Sequence, residues 1–187
     1  MAAWTACLQT LFSPSHRTSI RRRFDCEVAA TGRVAAAFEL WIPQAAPDVW
    51  GSVEDLPRFL TIDPFHRKVV VTGPINRPGA AIEIVHGLFG IRFSRFGKLL
   101  SFREGSGFAF SDLSARGGRR GFPHVFTVGV EPLAGGRTPW TRLSVRIRGK
   151  WTARWMPKWA VRWWIETVCR EHARLLAKAF SERTEAP

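Results

Sequence analysis

The chain has 187 residues, 45% of them hydrophobic, and a formal net charge of +13. That length suits a single domain with its own core, and the ordinary apolar fraction fits a globular protein rather than a disordered one. No charge-free stretch is long enough to span a membrane as a helix, and Cys7, Cys26 and Cys169 are too scattered for a metal site or a disulfide framework.

The first residues differ from the rest. A weakly apolar run from Trp4 to Phe12 is followed by Ser13-Pro14-Ser15 and then Arg21-Arg22-Arg23. A secretory signal carries its positive charge before the apolar run, so the order here is reversed. Residues 1–31 are expected to be a loosely ordered extension, residues 32–181 the domain, and residues 182–187 a tail.

Organisation begins at Gly32. Residues 33–42 read as a strand, with Val34, Ala36, Phe38 and Leu40 on one face and Glu39 on the other. Residues 47–53 and 56–62 read as two short helices, and Asp55 and Pro57 supply the start signals of the second. Asp55 fits a cap or turn residue. Strands follow at 68–72 and 80–86, separated by the Gly73-Pro74 to Pro78-Gly79 turn. Residues 91–102 form a longer strand whose alternation slips near Gly97, where a bulge is expected. In residues 107–114 the side chains of Phe108, Phe110 and Asp112 share a face. Residues 115–123 are a basic, glycine-rich loop. Residues 124–132 form a further strand, and Gly135-Gly136 signals a hairpin. Residues 141–151 alternate most cleanly, with Leu143, Val145 and Ile147 inward and Arg142, Ser144, Arg146 and Arg148 outward.

The stretch 151–180 holds five of the nine tryptophans: Trp151, Trp155, Trp159, Trp163 and Trp164. Pro157 suits a first helical turn. Val161, Trp164, Ile165, Val168, His172, Leu175, Leu176 and Ala179 recur at three- and four-residue steps, opposite Arg162, Glu166, Arg170, Arg174 and Lys178. One amphipathic helix of about six turns results, and its wide apolar stripe has to be buried. Tight turns imply antiparallel neighbours, and strands with one apolar face imply a sheet covered on one side. The architecture is therefore α+β: a curved antiparallel sheet of six to seven strands wrapped on a long C-terminal helix, with two short helices after the first strand.

Pro47, Val49, Trp50, Val53, Asp55 and Phe59 are spaced as P-x-V-W-x-x-V-x-D-x-x-x-F. With Gly79, Gly135-Gly136-Arg137-Thr138 and the terminal helix, the chain resembles the SRPBCC or START-like superfamily with the helix-grip fold. Its bacterial polyketide cyclase/dehydratase-like branch looks closest. The resemblance covers residues 33–180. Pro139-Trp140, the basic loop and the N-terminal extension depart from the pattern. It implies an apolar ligand, such as a lipid, sterol, polyketide or hormone, between sheet and helix, with catalysis in a minority of members.

The residue types allow such a cavity, because large aromatics mix on the inward faces with small Ala36, Ala81 and Gly129. Its expected lining is Phe38, Phe59, Ile62, His66, Ile84, His86, Phe108, Phe110, His124, Phe126, Val145, Ile147, Trp151, Val161, Trp164, Ile165, Val168 and His172. Core packing is the alternative for each aromatic, and a satisfied buried imidazole for each histidine. Two histidines within reach of Asp112 would strengthen an enzymatic reading. Tyr is absent, and no phosphate loop, nucleophile elbow, HExxH or paired CxxC occurs. No cofactor and no metal are implied.

Charge adds a surface. Residues 1–60 carry six arginines against six acids, whereas residues 61–187 carry 22 Lys or Arg against nine acids. Arg154, Lys158 and Arg162 lie among the tryptophans at the expected cavity entrance, beside Phe59, Phe65 and Phe89, a mixture suited to an anionic membrane surface. Nucleic acid is the less favoured partner for Arg116, Arg119, Arg120 and the outward arginines at 142, 146 and 148. The expected function is binding or carrying an apolar small molecule. The alternatives are a cyclase/dehydratase-type enzyme, or peripheral binding to an anionic surface. A reducing, cytoplasmic location is expected, with attachment to the inner membrane face as an option.

Overall fold

The computed structural model describes residues 20–74, 76–88, 90–113, 122–135, 138–153 and 155–184. Strands β1 (Arg21–Val28) and β2 (Arg33–Ile42) lead into helices α1 (Ala46–Val53) and α2 (Leu56–Leu60). Then come β3 (His66–Thr72), β4 (Ala81–Leu88), β5 (Ile91–Arg103), β6 (Gly107–Leu113), β7 (His124–Leu133), β8 (Trp140–Lys150) and helix α3 (Lys158–Thr184). The eight strands form one antiparallel sheet in the order β1-β2-β8-β7-β6-β5-β4-β3. This is the helix-grip arrangement, with one strand more than expected.

The extra strand corrects the N-terminal boundary. Residues 21–28 were expected to lie in a loose extension, yet they pair with β2 along their whole length, placing Phe24 opposite Phe38 and Cys26 opposite Ala36. Cys26 is buried, Phe24 and Val28 pack against the core, and Arg21, Arg22, Arg23, Asp25 and Glu27 face solvent. The arginine run is thus the exposed start of an edge strand, where charge discourages pairing with another chain. Residues 1–19 lie outside the described part. At the other end α3 continues to Thr184, so the expected tail is helix over residues 182–184.

The alternation read from β8 holds except at Ser144, which was expected outward and is buried beside the Gly129 carbonyl. Leu143 and Val145 have no exposed surface and Ile147 little, while Arg146 and Arg148 are exposed. In β2 the same pattern buries Val34, Ala36, Phe38, Leu40 and Ile42. On α3 the fully buried line is Val161, Ile165, Cys169, Ala173, Leu176 and Phe180, with His172 beside it. Trp164, Val168, Leu175 and Ala179 are half-buried at its margin. The small side chains of Cys169 and Ala173 at its middle let the helix come close to β1 and β2, the strands it packs on most closely. Gln44 Nε2 donates to the Phe180 carbonyl at 3.2 Å, and Thr141 Oγ1 donates to the Gln44 carbonyl at 2.7 Å, which ties the end of β2 to the helix.

The short helices close one end of the concave face. Asp55 caps α2 by accepting from the Arg58 N–H at 3.2 Å, as the sequence reading allowed. Phe59 is fully buried and meets Phe108 edge-on, at 5.9 Å between centroids and 89° between planes. The bulge expected near Gly97 is corrected too: the register shifts between Leu99 and Ser101, while Gly97 pairs regularly with Asp112.

Candidate functional site

Because α3 lies closest to β1 and β2, its first three turns stand away from the sheet floor made by β4 to β7. A cavity of about 640 Å³ remains there. Its walls are chiefly aromatic and aliphatic: Phe65, Phe93, Phe110, Phe122, Phe126 and Ile147 from the sheet side, with Trp151, Met156, Ala160, Trp163, Trp164, Ile165, Val168 and Cys169 across from them. Burial pushes the Cys169 thiol up to about 12, so it stays protonated and acts as a small apolar wall.

Polar groups enter this wall from five places. Asp63 follows α2, His66 opens β3, His86 lies near the end of β4, Arg95 lies on β5, and Asp112 and His124 face each other across β6 and β7. Asp112 is 3% exposed and its Oδ1 accepts from Arg95 Nε. Arg95 Nη2 also donates to the carbonyls of Phe122 at 2.7 Å and Asp112 at 3.3 Å. The other carboxylate oxygen, Oδ2, lies 3.6 Å from His124 Nε2 and 4.0 Å from His86 Nε2. His86 stacks on Phe93 and meets His66 edge-on, and His124 stacks on Phe122. Burial is the main cause that lowers His86 to about 4, with His66 adding to it and Asp112 opposing. Burial likewise pushes His124 below its ordinary value, against the pull of Asp112. Both imidazoles are therefore neutral near pH 7.

A second polar pair lies deeper. His172 is buried between Phe38 and Phe126, with Nδ1 3.4 Å from Asp63 Oδ2 and Nε2 without a hydrogen-bond partner. Burial lowers it to about 4 although Asp63 pulls the other way. Burial would raise Asp63, but His66, His172 and the Phe65 N–H, which donates to Oδ1 at 2.9 Å, outweigh it and hold the carboxyl below its usual range.

Of the expected lining, the structure brings His66, His86, Phe110, His124, Phe126, Ile147, Trp151, Trp164, Ile165 and Val168 to the cavity. The others are corrected. Phe38, Phe59, Ile84, Phe108, Val145 and Val161 are buried in the packed core, Ile62 is half-buried outside the cavity, and His172 sits behind its wall. The strand residues among them, Phe38, Ile84, Phe108 and Val145, have the right parity but are covered by packed side chains rather than by open space. The sequence reading missed Arg95, Asp63, Phe93, Phe122 and Trp163. Arg95 shares its parity with Phe93 and buried Leu99, a signal obscured by Phe96 and Leu100, which are apolar but exposed on the opposite parity.

The cavity mouth carries exposed aromatics. Trp163 and Phe93, which line the cavity, are 63% and 40% exposed, and Trp155, Trp159 and Ile91, close to them in sequence, are 80%, 74% and 67% exposed. Lys158 and Arg162 lie among them, and Arg162 Nε donates to Glu166 at 2.8 Å. Arg154, Phe89 and the arginines of the basic loop at 116, 119 and 120 lie outside the described residues. Among the described residues no group of side chains could hold a metal ion, and no helix is long and apolar enough to cross a membrane.

Fold and cavity together define the class: this chain has the SRPBCC/START-like, helix-grip fold. It is similar to a START superfamily protein from Mycobacterium smegmatis, with a TM-score of 0.63 and 12% identity over 79% of this chain and 97% of that one. It is also similar to the di-domain ARO/CYC StfQ from the steffimycin biosynthetic pathway (0.61, 12%, 82% and 52%) and to Ara h 8.0201 (0.54, 11%, 88% and 99%). No protein-family model and no curated protein matches the sequence. At these identities the likeness is one of fold.

Proposed function

We propose that the protein binds and carries an apolar small molecule, of lipid or polyketide type, in the cavity between the sheet and α3. The observation that carries this reading is the cavity of about 640 Å³, walled by aromatic and aliphatic side chains with polar groups gathered at one place. Native mass spectrometry of gently purified protein tests it, with a bound apolar mass expected that is lost on denaturation. Val168→Trp, which puts an indole into the cavity, is expected to remove that mass. A bare chain that also fails to take up added apolar dyes would end the proposal.

The polar cluster favours a second reading, a cyclase/dehydratase-type enzyme. Two neutral imidazoles within about 4 Å of a carboxylate are acid–base equipment. Incubating the co-purified ligand with protein and following its mass separates this from simple carriage.

The mouth supports docking on an anionic membrane as the route of loading. Tryptophan rings seek the headgroup level, and cations beside them add attraction that salt screens. Replacing Arg154, Lys158 and Arg162 together with Ala is expected to weaken binding to phosphatidylserine-containing vesicles on the order of a hundredfold at low salt. Parent and triple variant binding alike would remove the docking role from this rim.

A further inference from the structure

The polar groups at the cavity wall fix what kind of ligand end they can hold. His86 Nδ1 lies 3.2 Å from the Ile84 carbonyl oxygen, and His124 Nδ1 lies 2.8 Å from the Phe122 carbonyl oxygen. A carbonyl only accepts, so in each ring Nδ1 carries the proton and donates it. A neutral imidazole has one N–H, which leaves Nε2 as a bare acceptor. Both Nε2 atoms turn toward Asp112 Oδ2, itself an acceptor, at 4.0 and 3.6 Å. These separations are too long for hydrogen bonds. Protonation of the imidazoles would supply donors, but burial holds both of them neutral.

Three acceptors thus converge on one part of an otherwise apolar cavity. Arg95 answers them only in part: its Nε is bonded to Asp112 Oδ1 and its Nη2 to two backbone carbonyls, so three of its five N–H groups are already committed. The balance of charge adds a sign. Among the described residues lining the cavity, this guanidinium is the one permanent positive charge against two carboxylates, Asp63 and Asp112, and His66 beside Asp63 is the further group that can add one. A carboxylate guest would add a further negative charge and bring no donor. An ammonium guest would have to leave water for a largely apolar wall next to a guanidinium, at a high desolvation cost.

We infer that the cavity selects a neutral guest with a hydroxyl at its buried end, an alcohol or phenol, which donates to Nε2 of His86 or His124. The inference rests on the cavity being the binding site and narrows the guest from any apolar molecule to a hydroxylated one. Fatty acids and other carboxylates are discriminated against. Specificity of this kind is strong because a guest without the donor leaves buried acceptors unpaired.

Four probes with one aromatic body test it: pyrene, 1-hydroxypyrene, 1-methoxypyrene and pyrene-1-carboxylate. Binding is read at pH 7 by energy transfer from the protein's tryptophans. Hydroxypyrene is expected to bind roughly tenfold more tightly than methoxypyrene, which keeps the oxygen but lacks the donor, and carboxylate more weakly still. His86→Phe and His124→Phe keep a ring stacked on Phe93 and Phe122, and the double variant is expected to lose the hydroxyl-to-methoxy ratio. Should those variants not fold, the ranking on the parent protein decides by itself. Equal binding of the hydroxy and methoxy probes, or tightest binding of the carboxylate, overturns the inference and leaves the cavity as a binding site. No binding of any probe overturns both.

Discussion

Gly97→Ala is expected to destabilise the protein by about 3 kcal/mol, the upper part of the range for single substitutions. A Cβ at this position would lie 1.6 Å from the Ser111 carbonyl oxygen and 2.7 Å from its carbon. These are backbone atoms of the paired strand, so relief requires β5 and β6 to separate locally. Gly97 pairs with Asp112, and Arg95 precedes it by two residues. The strain therefore falls on the segment that joins the guanidinium to the carboxylate. For a domain of this size the thermal midpoint should drop by roughly 6–12 °C. Calorimetry on the two proteins checks it, and a loss below about 1 kcal/mol would mean that the strands part at little cost.

Acid should begin to destabilise the protein well above the range where carboxylates titrate. His86 and His172 are held at about 4 in the folded state against an ordinary value of 6.5. Between those limits the unfolded chain takes up protons that the folded chain refuses, so stability falls as pH falls from about 6.5 to about 4. Each shift corresponds to a few kcal/mol, and the pair together is on the order of 5 kcal/mol, comparable to the whole stability of many domains. Lowered Asp63 acts in the same direction, but only at lower pH, below the ordinary carboxylate value of 3.8. Urea unfolding at a series of pH values from 7.5 to 4 measures the slope. His172→Leu, which places an apolar group between Phe38 and Phe126, is expected to flatten it by about half. A parent protein equally stable at pH 7 and pH 4 would show that these imidazoles are not buried as neutral groups.

The sequence by itself determined the elements and most of the inward faces. Period-two alternation in residues 141–151 and the three- and four-residue steps after Val161 admit one buried face each, since a shift by one residue would turn arginines inward. It also placed Phe110, Asp112, His86 and His124 on apolar parities, which is half of the polar cluster. β1 stayed hidden because three consecutive arginines outweigh a short alternation of Phe24, Cys26 and Val28, and only pairing with β2 gives those side chains a place to be buried.

Tertiary structure alone decided which inward residues line a cavity and which fill a core. Phe108 and Phe110 share one face of β6, yet Phe108 packs under Phe59 while Phe110 borders open space. The difference is made by what lies opposite. α1 and α2 fill one end of the concave sheet, whereas α3 leans toward β1 and β2 and leaves the other end uncovered. The meeting of Arg95, Asp112, His86 and His124 depends in the same way on registers between strands far apart in the chain, set by the β4–β5, β5–β6 and β6–β7 pairings. Parity fixes the face a side chain takes, but its neighbour across the sheet is fixed only when the strands have paired.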